Sequence, residues 1–254
     1  MNISELFYSI QGEGKRTGYP SFFIRTNLCN LRCQFSSGNL CDTPYTSWEF
    51  ENKDNLGKLK IHDILFVYKN YMPCDIVITG GEPTIQQKEL NLLSSEIKKL
   101  QNLLFVSSSV GTQKIFITLE TNGTFIDDYV NNIDLVSISP KLTSSIPIGT
   151  EYSQGHDKHR LNYKVLKSYH KLHTEGKIDV QWKFVITGSD DIQEILDLQK
   201  EIGFENKDVF LMPEGISEKD LSEKRIMVVE LCKQYHFNYT DRLHIIIWGN
   251  KRGV

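Results

Sequence analysis

The sequence lacks the features that mark secreted, membrane-embedded and nucleic-acid-binding proteins. Residues 1–14 contain no positively charged segment followed by an apolar one, so we expect no signal peptide. No run approaches the roughly 20 apolar residues that cross a bilayer. The net charge is -3 at pH 7, so no global field attracts the chain to nucleic acid or to an anionic membrane. We therefore expect a cytoplasmic protein with no direct nucleic-acid or membrane partner.

Internal repeats, low-complexity tracts and interdomain linkers are also absent from the sequence. A composition of 39% hydrophobic and 24% charged residues is ordinary for a globular protein. A chain of 254 residues can bury one large α/β core or two smaller ones. Composition alone leaves both possibilities open.

Short apolar runs alternate with segments of helical periodicity from about residue 60 onward. The runs are rich in Ile, Val and Phe, which is typical of buried parallel strands. We expect strands at 21–27, 75–81, 114–123, 134–141, 181–188, 208–215 and 244–248. We expect helices at 86–104, 157–174, 190–202 and 217–236. The alternation predicts an α/β unit with a parallel sheet, and the number of strands favours an incomplete (β/α) barrel.

Small and polar residues follow several of the expected strands. They occur at 80–83 (GGEP), 121–123 (TNG), 139–141 (SPK) and 213–215 (PEG). In both barrels and doubly wound sheets, ligands bind beyond the carboxyl ends of the strands. The sequence therefore predicts a ligand site at this edge of the sheet.

Five cysteines in a chain expected in a reducing compartment indicate metal or redox chemistry rather than a disulfide framework. Cys74 precedes an apolar strand and Cys232 shares a helix face with apolar residues, so both are expected to be small buried hydrophobes. Cys29, Cys33 and Cys41 lie within thirteen residues of one another. These three are the candidate ligands.

The spacing of the three clustered cysteines leaves three interpretations open. Three thiolates can hold a [4Fe–4S] cluster by three of its irons and leave the fourth iron free for another ligand. Structural zinc would require a fourth cysteine or a histidine nearby, but the first histidine is His62. Unligated thiols are the third interpretation. The spacing favours the cluster.

The motifs that surround the cysteines resemble those of radical S-adenosylmethionine (SAM) enzymes. Cys-Asn-Leu-Arg-Cys at 29–33 follows an expected strand, and Gly-Gly-Glu-Pro stands at 80–83. A larger ordered set is similar to one family, 7-carboxy-7-deazaguanine synthase. Its segments are 11–14, 20–25, 41–43, 78–83, 120–123, 139–141 and 248–254. The resemblance implies one radical SAM domain over 1–254, with a cluster loop at 28–48 and a tail at 249–254 that closes the active site.

The cluster motif departs from the usual radical SAM spacing C-x-x-x-C-x-x-C. The third cysteine of that spacing would fall at Ser36. In the family the third cysteine commonly precedes Asp-Thr, and Cys41-Asp42-Thr43 matches this pattern. We therefore assign the cluster to Cys29, Cys33 and Cys41 and interpret 34–40 as an insertion in the loop. Ligation by Ser36 remains an alternative.

The resemblance also implies a reaction and its cofactors. The family converts 6-carboxy-5,6,7,8-tetrahydropterin to 7-carboxy-7-deazaguanine with loss of ammonia, in 7-deazapurine (queuosine-type) biosynthesis. The cofactors would be a [4Fe–4S] cluster, SAM and Mg²⁺. SAM is regenerated, and the protein supplies positioning and exclusion of water. An electron donor such as flavodoxin or ferredoxin and a homodimer are expected as partners.

The family's functional positions can be carried over residue by residue, although each short motif alone is more often structural. The implied SAM-binding residues are Gly81, Glu82, Ser139, Pro140, Lys141, Gln181 and Lys183. The implied substrate-binding residues are Ile10, Gln11, Gly12, Glu13, Arg25, Thr79 and Val254. Thr43 matches the magnesium ligand. Beyond the cluster and SAM, no separate catalytic residue is expected.

Some of these assignments have a chemical basis in the residue types. Gln11 and Glu13 can match the alternating hydrogen-bonding groups of a pterin edge. Arg25 can pair with a carboxylate through two parallel hydrogen bonds. Glycine at 80–81 allows a close backbone approach. Val254 follows the expected last strand at 244–248 so closely that the tail should stay near the site.

Two rival functions remain. Another radical SAM enzyme, such as an activase that forms a glycyl radical on a partner protein, shares the cysteines and the glycine pair. It has no reason to keep Gln-Gly-Glu-Gly at 11–14 or Cys-Asp-Thr at 41–43. A zinc-stabilised binding module without catalysis is the rival from another class.

Overall fold

One sheet organises the part of the chain that the computed structural model describes, residues 1–107 and 114–254. Within these ranges the strands are β1 (Asn2–Ile10), β2 (Pro20–Thr26), β3 (Gly57–Lys58), β4 (Asp75–Gly80), β5 (Ile117–Thr121), β6 (Leu135–Ile138), β7 (Asp179–Ile186), β8 (Val209–Pro213) and β9 (Asn238–Tyr239). Their spatial order is β3-β1-β2-β4-β5-β6-β7-β8-β9. All neighbours from β2 to β9 are parallel. The sheet does not close, which confirms the α/β class and the incomplete barrel.

The N-terminal arm of the sheet was missed by the sequence prediction. β1 pairs with β2 in antiparallel register, and the two-residue β3 pairs antiparallel with β1. Residues 2–10 interrupt their apolar pattern with Glu5, and the pairing of β1 with β2 is irregular between Ile3 and Glu5. The period-2 signal of a strand is therefore weak here. The described sheet is therefore parallel except in this arm, where β1 and β3 run antiparallel to their neighbours.

The strand expected at 244–248 is also wrong, because this segment forms a helix at Leu243–Trp248. β9 already occupies the free edge of β8, where Asn238 and Tyr239 pair with Phe210 and Leu211. The isoleucine-rich segment at 244–248 therefore follows a sheet edge that β9 has already filled. Only Ile245 is fully buried against the protein. Tertiary context overrides the strand preference of β-branched residues.

The described helices cover the sheet between successive strands. They are α1 (Ile61–Tyr68), α2 (Gln87–Ser107), α3 (Ser153–His159), α4 (Tyr163–Thr174), α5 (Asp191–Ile202), α6 (Glu218–Tyr235) and α7 (Leu243–Trp248). The single helix predicted at 157–174 is two helices, because Asn162 caps a new start by accepting a hydrogen bond from the Val165 amide. α1 was not predicted. None of the described helices is long and apolar enough to span a bilayer.

The core lies on the inner strands and beneath the helices. Ile24, Ile78, Leu119 and Val136, one on each of four consecutive strands, are completely buried. Parallel strands that are covered on both faces appear in the sequence as continuous apolar runs, which is why the four strands that carry these residues were predicted. Cys74 and Cys232 are free and buried in this core, as expected.

The first turn of α6 generates a prediction about stability. The Ser217 hydroxyl accepts a hydrogen bond from the Asp220 amide, and the Asp220 carboxylate accepts one from the Ser217 amide. We expect Ser217→Ala to lower the free energy of unfolding by about 1 kcal/mol, since it removes one half of this capping box. Urea unfolding measures the change. Ser222→Ala on the exposed face of the same helix is the control, and equal effects of the two substitutions would refute the capping role.

Candidate active site

A cavity of about 460 Å³ opens at the carboxyl edge of the sheet. Three chain segments wall it, and side chains from the strands form its floor. The segments are 10–13 after β1, the loop that carries the three clustered cysteines, and the C-terminal tail at 250–254. The floor side chains include Thr79 from β4, Glu120 from β5 and Lys183 from β7. The cavity lies at the edge of the sheet where the sequence predicts a ligand site.

The cavity contains most of the predicted site residues. Those that line it are Ile10, Gln11, Gly12, Glu13, Arg25, Cys29, Cys33, Cys41, Thr43, Thr79, Gly81, Ser139, Lys141, Lys183 and Val254. Glu82, Pro140 and Gln181 are not among the lining residues. Sequence spacing could not separate these two groups, because both belong to the same short motifs.

Cys29, Cys33 and Cys41 are unpaired thiols that face the same cavity. The Cys41 amide donates to the Cys33 carbonyl oxygen over 3.3 Å, which brings these two residues side by side. Burial, together with Cys41 and Asp42, raises the pKa of Cys33 to about 12 against the lowering charge of Lys141. Burial also raises the pKa of Cys29 and of Cys41. Thiolates here require a positively charged partner.

The distances between the three sulfurs indicate which metal group fits. As a set, the sulfurs do not all lie within 4.8 Å of one another. Sulfur ligands at about 2.3 Å from a tetrahedral zinc ion would lie only ~3.8 Å apart. Iron–sulfur clusters are held by cysteine thiolates, and three cysteines share this cavity. Ser36 is exposed and does not line the cavity.

The glycine pair at 80–81 is required by backbone packing. Gly80 has φ +130°, and a Cβ there would lie 2.2 Å from the Thr26 carbonyl oxygen. A Cβ on Gly81 would lie 2.1 Å from the Leu28 carbonyl oxygen. The pair therefore lets the end of β4 lie against the chain that leads into Cys29. The close approach that these glycines allow is to the protein's own backbone.

Glu82 and Gln181 do not line the cavity, but each hydrogen-bonds to residues that do. Glu82 is completely buried and accepts hydrogen bonds from both Thr84 and Thr121 side chains at 2.6 and 2.7 Å and from the Asn122 amide at 2.6 Å. Gln181 donates to Ser137 and accepts from the Lys15 amide, both at 2.7 Å. These two side chains hold neighbouring segments together.

Glu13 forms a buried ion pair with Lys183 at the floor of the cavity. Burial alone would raise the pKa of Glu13, but the charges of Lys183, Arg242 and His244 lower it to about 2. Arg242 lies 3.9 Å from Glu13 and 2.8 Å from the Asp42 carboxylate. The segment after β1 is thereby joined to the sheet and to the cysteine loop by fixed charges.

Glu120 connects two predicted substrate-binding residues and one predicted SAM-binding residue. It accepts hydrogen bonds from the Thr79 hydroxyl at 2.7 Å and from the Gln11 amide nitrogen at 3.1 Å. The Lys183 ammonium lies 3.9 Å away. This network presents hydroxyl, amide, carboxylate and ammonium groups to one part of the cavity, which suits a polar heterocycle.

Arg25 is held by its Nε, which donates to Glu5 over 3.0 Å. Among the described residues its terminal guanidinium nitrogens make no hydrogen bond, and the group lies 5.4 Å from the Phe7 ring centre. Burial works against the charge, but Tyr45, Glu5 and Asp42 raise the pKa of Arg25 and keep it charged. The side chain is thus oriented and free to receive an anion.

The C-terminal tail is held against the cavity by Arg252. Its guanidinium pairs with Glu5, donates to Asn55 over 3.0 Å, and lies 4.1 Å from the Tyr45 ring centre. Asn250 to Val254 line the cavity. The tail therefore lies at the site although the segment before it is a helix and not a strand.

Four functional candidates were missed or undervalued by the sequence analysis: Asp42, Glu120, Arg242 and His244. Asp42 and Glu120 lie within the family-like segments 41–43 and 120–123, so the sequence pointed to both residues. The His244 ring lies so close to Gly12 that a Cβ on Gly12 would be 2.3 Å from its Nδ1. Arg242 carried no local signal, because only the fold brings it to Asp42.

Comparison with known proteins identifies the family. No protein-family model matches the chain. The 7-carboxy-7-deazaguanine synthase of Halobacterium salinarum is 36% identical over 262 residues, which cover 98% of this chain and 90% of that protein. The chain belongs to the 7-carboxy-7-deazaguanine synthase family. The Rhodopirellula baltica member is 34% identical, over 99% of this chain and 88% of its own.

The solved structure of a protein named QueE from Escherichia coli has a similar fold. Its TM-score with this synthase-family chain is 0.64 at 21% identity, over 96% of this chain and 94% of that one. The enzyme anSMEcpe, solved with bound AdoMet and a peptide, gives 0.51 at 18% identity over 89% of this chain and 66% of its own. These likenesses agree with the open, mostly parallel sheet.

The Glu13–Lys183 pair generates a prediction about pH and stability. Because the pKa of Glu13 falls from 4.5 to about 2 on folding, the pair contributes fully above pH 4.5 and loses its contribution as pH falls toward 2. Glu13→Gln leaves the buried Lys183 with only the more distant Glu120 carboxylate, 3.9 Å away, as a counter-charge. The substitution should cost about 3 kcal/mol at neutral pH. Urea unfolding across pH measures this difference.

The control is Glu151→Gln, which changes an exposed carboxylate. We expect the gap between wild type and Glu13→Gln to narrow below pH 4.5, the ordinary value of this group. A gap that stays constant down to pH 2 would show that the pair contributes no linked stability.

Proposed function

We propose that this member of the family is a radical SAM lyase that converts 6-carboxy-5,6,7,8-tetrahydropterin to 7-carboxy-7-deazaguanine, with loss of ammonia. Family membership supports the reaction. One observation carries the proposal to the site: three free thiols share a cavity with a fixed network of carboxylates and cations. The thiol half of the cavity suits an iron–sulfur cluster, and the charged half suits a polar, anionic heterocycle.

The donor set fits the cofactors of the family. Cys29, Cys33 and Cys41 would hold a [4Fe–4S] cluster, and Gly81, Ser139, Lys141 and Lys183 face the same cavity at positions suited to SAM. When bound, cluster and SAM supply the radical chemistry that the side chains of this protein lack. Glu82, Pro140 and Gln181 would act on SAM only by positioning their neighbours, since they do not line the cavity.

The protein's own residues would bind and orient the pterin. Arg25 can receive the substrate carboxylate through its terminal nitrogens, because Glu5 occupies only its Nε. Gln11, Glu13 and Thr79 would contact the ring's hydrogen-bonding edge, with Glu120 fixing two of them. Ile10, Gly12 and Val254 would bound the ring. These groups are held in place before binding, which lowers the entropy cost of orienting the substrate.

Thr43 and the tail would complete the site. Thr43 lines the cavity, and Mg²⁺ could bridge its hydroxyl and the substrate carboxylate, since this ion keeps waters and takes few protein ligands. The tail, fastened by Arg252, would exclude water from the reacting centre. We further propose a homodimer in the reducing cytoplasm, supplied with electrons by a flavodoxin or ferredoxin.

Anaerobic turnover tests the function. Protein with a reconstituted cluster is incubated with the carboxypterin, SAM, Mg²⁺ and a strong reductant, and the product is identified by mass spectrometry. We expect a product whose mass reflects loss of ammonia and no net consumption of SAM. Cleavage of SAM without ring contraction would favour a different radical SAM reaction.

Cysteine variants test the cluster assignment. We expect Cys29→Ala, Cys33→Ala and Cys41→Ala each to lose iron and turnover, because thiolate ligation holds the cluster. Cys74→Ala and Cys232→Ala are matched controls, since both side chains lie in the core away from the cavity. Iron and sulfide analysis after anaerobic purification is the measurement. Full iron content in Cys41→Ala would transfer the third ligand to Ser36 or another group.

The magnesium site is tested by Thr43→Ala. We expect turnover to require about tenfold more Mg²⁺, while reductive SAM cleavage stays competent, because the ion orients substrate. Thr174→Ala, which removes an exposed hydroxyl on α4, serves as the control. An unchanged magnesium dependence would remove Thr43 from the site.

Tail closure is tested by Arg252→Ala. Loss of the contacts to Glu5, Asn55 and Tyr45 should free the tail and raise the KM for the carboxypterin about tenfold. Deletion of Val254 should act in the same direction, whereas Lys219→Ala on exposed α6 should have no effect. Steady-state kinetics provide the numbers. If both tail variants match wild type, the tail takes no part in substrate binding.

A further inference from the structure

The insertion between the second and third cysteines, residues 34–40, folds as a small hairpin. Gln34 and Leu40 form a bridge, and the Phe35 amide donates to the Asn39 carbonyl oxygen over 2.8 Å. The turn closes where Gly38, at φ +90°, donates to the Phe35 carbonyl oxygen over 2.8 Å. The hairpin returns the chain to its starting point, so that Cys41 stands beside Cys33. We call residues 34–40 the insertion hairpin.

The first arm of the insertion hairpin is attached to the protein by backbone and apolar contacts. The Gln34 amide donates to the Ser145 carbonyl oxygen over 3.1 Å. Phe35 is 9% exposed and packs with Leu31 and Cys33. This arm follows Cys33 directly and fixes it.

The second arm is attached through a single buried carboxylate. Asn39 Nδ2 donates to Glu214 Oε1 over 2.9 Å. Glu214 is 1% exposed at the end of β8, where its amide donates to the Ile186 carbonyl oxygen. Its other oxygen accepts from the Lys224 ammonium of α6 at 2.8 Å. Both oxygens of the Glu214 carboxylate therefore have a partner. One accepts from α6 and the other accepts from the insertion hairpin.

A buried carboxylate is stable only when it is paired and hydrogen-bonded. Glu214 is paired with the Lys224 ammonium and accepts a hydrogen bond from Asn39. Asn39 lies two residues before Cys41. The pairing therefore constrains the third cysteine from the far side of the hairpin. Hydrogen bonds to groups next to a metal ligand set the orientation of that ligand.

We propose that Asn39 and Glu214 are positioning residues for the iron–sulfur cluster, and that the insertion hairpin replaces the short two-residue spacing of the usual motif by an anchored one. The proposal rests on the proposed function, because it assumes that the three cysteines hold a cluster. It assigns a role to residues 34–40, for which the family resemblance gave none.

The test measures cluster retention and needs no turnover. Wild type, Asn39→Ala and the control Asn131→Ala, an exposed asparagine, are reconstituted anaerobically and challenged with an iron chelator. We expect Asn39→Ala to lose its visible absorption about tenfold faster than the other two. Its EPR signal after reduction should also differ from that of wild type, both before and after SAM is added.

A charge exchange separates positioning from a folding defect. Asn39→Asp places two carboxylates in contact and should release iron faster than Asn39→Ala. Adding Glu214→Gln restores a donor facing an acceptor, with net charge unchanged, and should return both iron retention and the EPR signal toward wild type. Equal retention in wild type and Asn39→Ala, or no rescue in the double variant, would overturn the proposal. Failure of wild type itself to hold a cluster would instead overturn the proposed function.

Discussion

The ion pair between Glu13 and Lys183 lies at the point where the N-terminal segment meets the centre of the sheet. Both groups are buried, so each would be unstable there without the other. Arg242 extends the pair to Asp42, directly after the third clustered cysteine. The N-terminal segment, β7, the start of the last helix and the cysteine loop are thus joined by charges rather than by apolar packing alone. The cavity keeps its shape because this network does.

Two chemically different halves meet in that cavity. Thiols with raised pKa and a close backbone crossing at Gly80 and Gly81 make up one half. The other half consists of polar groups that are held in place but keep atoms available for a ligand. Arg25, for example, is held through its Nε alone. Arg252 then brings the tail over the opening through Glu5, the carboxylate that also holds Arg25. Substrate orientation and closure therefore share one anchor.

Local patterns predicted what is local. The apolar runs from β2 to β8 gave the parallel sheet, and the motifs at the strand ends placed most cavity residues. The errors lie where tertiary contacts decide. Residues 244–248 have strand composition, but β9 had already taken the last edge of the sheet. Arg242 and Glu214 act through partners about 200 and 175 positions away in sequence, and single-sequence reasoning has no signal for such pairs. Glu82 shows the converse, a motif residue whose side chain serves the scaffold.

The central claim is that one cavity holds the cluster with SAM and the pterin side by side, with the charge network around Glu13 forming the substrate half. EPR spectroscopy of the reduced, SAM-bound protein during titration with the carboxypterin tests this most directly. We expect the cluster's EPR signal in wild type to change saturably as pterin is added. In Glu13→Gln we expect this change to be lost while the response to SAM is retained. If saturating pterin leaves the EPR signal of wild type unchanged, the cluster and the pterin do not share this cavity.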